Sequence, residues 1–200
     1  MRRLFACLAI GIVGLTPALA FDGETQSVLD RMKVGKLVPI TEIAKLMRNS
    51  ERWCYAENDG ACSWSDIYLE VTDEGATYEI GNAWDADHDV IFTDNGKFAD
   101  GRYICETGND WLPSIRAINR ANGVALGGRE LWALKTQIGD GRSSERIDCF
   151  DYVLKGSDAE AETITLLQRQ FIDGATDTMN DVTVTLHFNA ESAAALTWYY

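Results

Sequence analysis

The 200-residue chain carries 31 acidic against 18 basic residues, a formal charge of −13 at pH 7. A surface that acidic repels nucleic acid and anionic membrane lipid, and no Lys/Arg cluster offers a local exception. Cations, basic partners and neutral ligands stay compatible with it.

The first twenty residues read as an export signal. Arg2 and Arg3 precede an apolar run at 4–15, and Ala18-Leu19-Ala20 forms a small-x-small cleavage site, so the mature chain is expected to begin at Phe21. The apolar run is too short to cross a bilayer as a helix, which needs about 20 residues. Cleavage would make the chain more acidic and leave Cys54, Cys62, Cys105 and Cys149. An even number of cysteines in an exported chain points to two disulfides and to a periplasmic or secreted location. Cys54 and Cys62 flank the turn-forming Asn58-Asp59-Gly60 and are expected to pair across a hairpin, which leaves Cys105 for Cys149 by elimination.

In residues 21–50, Val28, Leu29 and Met32 predict a short helix ended by Gly35. A second helix, capped near Thr41 after Pro39, sets Ile43, Leu46 and Met47 on one face. From Arg52 onward the period shifts toward two. The stretch 65–71 places Ile67, Leu69 and Val71 on a buried side and Asp66 and Glu70 on the other. Asp73-Glu74-Gly75 turns into a strand at 76–80; a further strand at 88–94 meets the hairpin signal Asn95-Gly96 and its partner at 97–106. Asn109-Asp110, Pro113 and the spacing of Ile115, Ile118 and Ala121 predict an inserted helix near 111–121, followed by a strand-like stretch at 131–138. Four more strand patterns, at 146–155, 162–172, 182–188 and 193–200, suggest an antiparallel meander. The expected fold is α+β and mostly β: one domain over 21–200 with N-terminal helices packed on a curved antiparallel sheet.

Asp85, Asp87 and Asp89 alternate as in the first half of a calcium loop, where such carboxylates supply oxygen ligands. The loop's glycine position holds Val90 and its last ligand position holds Gly96, so a weak calcium site competes with a solvated acidic loop. No other cofactor is expected. Ser143 and Ser144 lack a nucleophile elbow, and His187 shares the polar face of its strand with Thr183 and Thr185, which places it at the surface or on a cavity wall. Six tryptophans are spread over the mature chain and are expected mostly in the core.

Ala194, Leu196, Trp198 and Tyr200 alternate back from the last residue. That ending resembles the terminal strand of outer-membrane β-barrel proteins, and the resemblance implies a small outer-membrane barrel. The N-terminal helices, the cysteines and the short apolar faces of strands such as 65–71 argue against it. The first functional expectation is a non-enzymatic binding or interaction module of the bacterial envelope, taking a small apolar ligand or an envelope protein. The second is a hydrolase-type enzyme that uses pocket carboxylates or His187.

Overall fold

A computed structural model describes residues 21–140 and 145–200; the expected signal peptide, Ser143 and Ser144 lie outside the described residues. The chain opens with α1 (Gly23–Arg31), β1 (Leu37–Val38) and α2 (Ile40–Asn49). Asp22 caps α1 by accepting the Glu24 and Thr25 N–H groups at 2.8 and 3.1 Å, which satisfies two donors that the first turn leaves open. A first meander runs through β2 (Arg52–Tyr55), β3 (Ala61–Cys62), β4 (Trp64–Val71), β5 (Gly75–Ala83), β6 (His88–Ala99) and β7 (Tyr103–Thr107). An excursion follows, made of a 3-10 turn (Leu112–Ser114), β8 (Arg116–Asn119) and α3 (Gly128–Gly139). A second meander, β9 (Ile147–Asp158), β10 (Thr163–Ile172) and β11 (Ala175–His187), leads into α4 (Ala190–Ala195) and β12 (Thr197–Trp198).

The two meanders join at both edges. β11 pairs antiparallel with β2 and β7 pairs antiparallel with β9, so eight strands close into a barrel in chain order. Closure removes the exposed edges that an open sheet would have to protect. The expected mostly β fold with N-terminal helices on a curved antiparallel sheet is therefore what forms. Ile43, Leu46 and Met47 of α2 and Val28 of α1 bury against Trp53, Leu154, Ile164, Leu166 and Leu186, and fill one half of the barrel with apolar side chains. Each such side chain contributes about 1.5–3 kcal/mol when fully buried.

Four local readings of the sequence are corrected. The inserted helix lies at α3, not near 111–121. Leu134 and Ile138, spaced as on one helix face, bury together, whereas Ile115 and Ala117 bury at strand spacing in and beside β8. The first part of β6 extends past β7, and β8 supplies the backbone partners that this edge would otherwise lack. In the first part of β4 the faces are reversed: Trp64, Asp66 and Tyr68 point inward, and Leu69 is 58% exposed beside a bulge between Tyr68 and Glu70, past which Val71 packs on the core as expected. Asn95-Gly96 sits inside β6, and the hairpin is made by Asp100 and Gly101, both at positive φ. Gly96 serves packing instead, because a Cβ there would lie 2.4 Å from the Ile104 side chain.

The C-terminus is the fourth correction. Residues 193–200 add no barrel strand; Asn189 caps α4, and β12 pairs parallel with β3 outside the barrel. Leu196 buries against the Cys54–Cys62 disulfide rather than against the helices, and Tyr200 stays exposed. Trp198 lies over Gly81, where a Cβ would stand 2.3 Å from its ring, and donates to Ser65 Oγ at 3.0 Å.

Both expected disulfides are formed, Cys54–Cys62 and Cys105–Cys149, and the second ties β7 to β9 where the meanders meet. No helix among the described residues is long and apolar enough to cross a membrane. The outer face of the barrel carries Glu79 paired with Arg116, and Asp151 buried between Arg102 and Arg169 at 2.6 and 2.7 Å. Ion pairs of this kind do not make the apolar outer band of a lipid-facing barrel.

Candidate functional site

Inward-facing side chains change character along the barrel. Beyond the apolar half stands a belt of Tyr55, Tyr68, Tyr78 and Tyr152 with Gln168, and beyond that come carboxylates. Register explains their grouping: Tyr68 faces Tyr78 across β4 and β5, Tyr78 faces Asp94 across β5 and β6, and Glu106 stands directly opposite Asp148 across β7 and β9. Directly opposed like charges are unfavourable in a sheet unless they are neutralised or compensated.

Compensation is partial. Tyr55 donates to Asp66 Oδ2 at 2.7 Å, and Gln168 Nε2 donates to Tyr152 at 3.1 Å. Tyr78 donates to Glu106. Asp94 accepts the Asn95 N–H at 2.7 Å, while Asp148 accepts from Gln170 at 2.8 Å and from Arg146 at 2.8 and 3.0 Å. Asp66 Oδ1 is buried and has no hydrogen-bond partner.

Burial pushes Asp66 up to about 7; the Tyr55 hydrogen bond opposes the rise and the charge of Asp94 adds to it. Burial likewise lifts Asp94 to about 6, opposed by the Asn95 N–H and aided by Asp110. Glu106 rises to about 8 through burial, against the Tyr78 hydrogen bond and with Asp94, Asp66 and Asp148 adding. Each carboxyl is costly to ionise because it sits away from water among its own kind.

These groups line a cavity at the barrel mouth, with two lobes of about 600 and 620 Å³ that share Ile80, Glu106, Phe150 and Gln170. One lobe adds Asp94, Asp148, Asp140, Phe92 and Trp111; the other adds Asp66, Asp181, Tyr55 and Trp64. Tyr55 and Trp64 stack at 4.8 Å between centroids. The excursion supplies part of the first lobe's wall, since Trp111 precedes the 3-10 turn and Asp140 ends α3. Among the described residues, Arg146 is the one cationic side chain on the walls of the two lobes, and it is paired with Asp148.

The residues singled out from sequence lie elsewhere. Asp85 is turned onto its own loop, accepting the N–H groups of Asp87 and His88 at 2.8 and 2.7 Å and facing the His88 ring at 3.0 Å. Asp87 is exposed, and Asp89 stands 3.0 Å from Arg120 as an ion pair without hydrogen-bond alignment. Among the described residues, the group of three potential ligands closing within 4.8 Å is Cys54, Glu57 and His187, not the aspartate triplet, and Cys54 is spent in its disulfide. His187 faces outward but is buried, its Nε2 3.0 Å from Glu57 and its Nδ1 without a partner. Asp85 and His88 border a separate recess of about 520 Å³ against α3.

Sequence reasoning missed Asp66, Asp94 and Glu106, because alternation assigned Asp66 to the polar side and the other two stood out from no pattern. A usable signal was present in β4, where Trp64, Asp66 and Tyr68 alternate, an aromatic frame around one acid. No family model, curated protein or solved structure matches the chain.

Proposed function

We propose that the protein is a non-enzymatic binding module of the bacterial envelope, periplasmic or secreted, whose ligand enters the mouth of the barrel. The observation that supports this reading is Asp66 Oδ1, a buried oxygen without a partner on the wall of an open cavity. An unpaired buried acceptor costs about 1–3 kcal/mol, and a ligand donor placed in that lobe removes the cost. Each lobe falls within the size of ordinary small-molecule sites, about 300–1,000 Å³. Ile80, Phe92 and Phe150 offer an apolar wall to the body of the ligand, and the carboxylates fix its polar end.

Native mass spectrometry of the mature protein, incubated with the small-molecule fraction of an envelope extract, tests the reading. A discrete adduct is expected, and it should vanish in Ile80→Trp, which fills the wall shared by the two lobes. Circular dichroism checks that this variant keeps its fold. Absence of any adduct, or an unchanged adduct in the filled variant, overturns the reading.

A hydrolase reading draws on one observation, Glu106 facing Asp148 across two strands. A carboxyl kept protonated beside an ion-paired one resembles the acid and base of glycoside hydrolysis. Turnover of aryl glycosides, lost in both Glu106→Gln and Asp148→Asn, would decide for it.

A further inference from the structure

We propose that the cavity recognises a linear aliphatic amine bearing at least two ammonium groups, a diamine or polyamine. This rests on the binding-module reading and names its ligand class. Acceptors dominate the walls: Asp66 and Asp181 in one lobe, Asp94, Asp140 and Asp148 in the other, and Glu106 in both. Among the described residues their one cationic neighbour on the walls, Arg146, already faces Asp148.

The spacing of the carboxylates selects among cations. No three of these oxygens close within 4.8 Å, so a single metal ion has no converging ligand set here. Asp66 projects from β4 and Glu106 from β7, with β5 and β6 between them, so the acids are spread around the wall rather than gathered at a point. Ile80 and Phe150 line both lobes and are able to pack methylene groups. Separated carboxyl groups joined by an apolar wall, ionising as they meet an ammonium, complement a molecule with separated cations joined by an apolar chain. Asp66 Oδ1, 5% exposed as a residue and unpartnered, is the acceptor still waiting for an N–H donor, and the stacked Tyr55 and Trp64 beside it give an ammonium a π face.

Calorimetric titration of the mature, disulfide-bonded protein with putrescine, spermidine, butylamine and calcium tests the assignment. Putrescine or spermidine should bind at least about tenfold more tightly than butylamine, the worth of one additional charge-assisted hydrogen bond. Asp66→Asn and Glu106→Gln should each lose about tenfold toward the diamine while leaving butylamine less affected. Both variants are isosteric, and their melting curves establish that they fold. Butylamine binding as tightly as putrescine, or calcium binding more tightly than either, overturns the diamine assignment while the binding-module reading stands on its adduct. If no amine binds and the native spectrum is also free of adducts, both fall.

Discussion

Single residues decide how closely the chain can wrap its own barrel. Gly81 faces outward on β5, and its missing side chain is what lets the Trp198 ring settle on the sheet, donating to Ser65. A methyl group there must push the ring away, since 2.3 Å is far inside van der Waals contact. Gly81→Ala should therefore destabilise by about 1–3 kcal/mol, the usual cost of overpacking. Thermal unfolding reads the loss, and the displaced Trp198 should add red-shifted fluorescence. An unchanged melting temperature would show that the C-terminal segment is not held by this contact. Asp66 shows the opposite arrangement at the same scale: on a residue that lines the cavity, one carboxylate oxygen is served by Tyr55 and the other is buried without a partner.

At the scale of elements, the sequence discloses what local chemistry determines and conceals what a neighbour determines. The N-terminal helices are legible because Val28, Leu29 and Met32 mark the buried side of one and Ile43, Leu46 and Met47 stripe the other. The turn at Asp59 and Gly60 is legible because both residues take positive φ, and so is the disulfide that spans it. By contrast, β8 exists because β6 overhangs β7, and the inward turn of Asp66 depends on Tyr55 from another strand. Neither dependence is written in a local period. Barrel closure is equally non-local, and the seam between β7 and β9 is where the Cys105–Cys149 bridge lies. That bridge closes a separation of 44 residues, against 8 for Cys54–Cys62. A longer closed loop restrains the unfolded chain more, by about 1.5 kcal/mol for this difference in length. Replacing Cys105 and Cys149 with alanine should therefore cost more than replacing Cys54 and Cys62, each within about 2–5 kcal/mol. Denaturant titration of the two double variants ranks them, and the reverse order would locate the critical tie at the C-terminal segment instead of the seam.

The whole molecule combines an acidic surface with an acidic interior, and pH acts on both. Asp66, Asp94 and Glu106 are raised from ordinary carboxylate values to about 7, 6 and 8. Since these groups hold their protons more tightly when folded, the stability they contribute is complete below about pH 4 and is lost progressively as pH rises toward 8. Asp22, Glu42 and Asp85 are lowered, each with burial opposing and hydrogen bonds prevailing, so their contribution disappears only on strong acidification. The protein should consequently resist urea better at pH 5 than at pH 8. Relief of surface repulsion acts in the same direction for a chain of net charge −13, so the wild-type profile alone does not isolate the cavity. Asp66→Asn and Glu106→Gln do isolate it, because each removes one interior titration while leaving the outer surface intact. Each variant should lose less stability between pH 5 and pH 8 than the wild type, and saturating putrescine should flatten the wild-type profile by favouring the ionised carboxylates. A variant profile parallel to that of the wild type would mean that the interior acids ionise as freely in the barrel as in water.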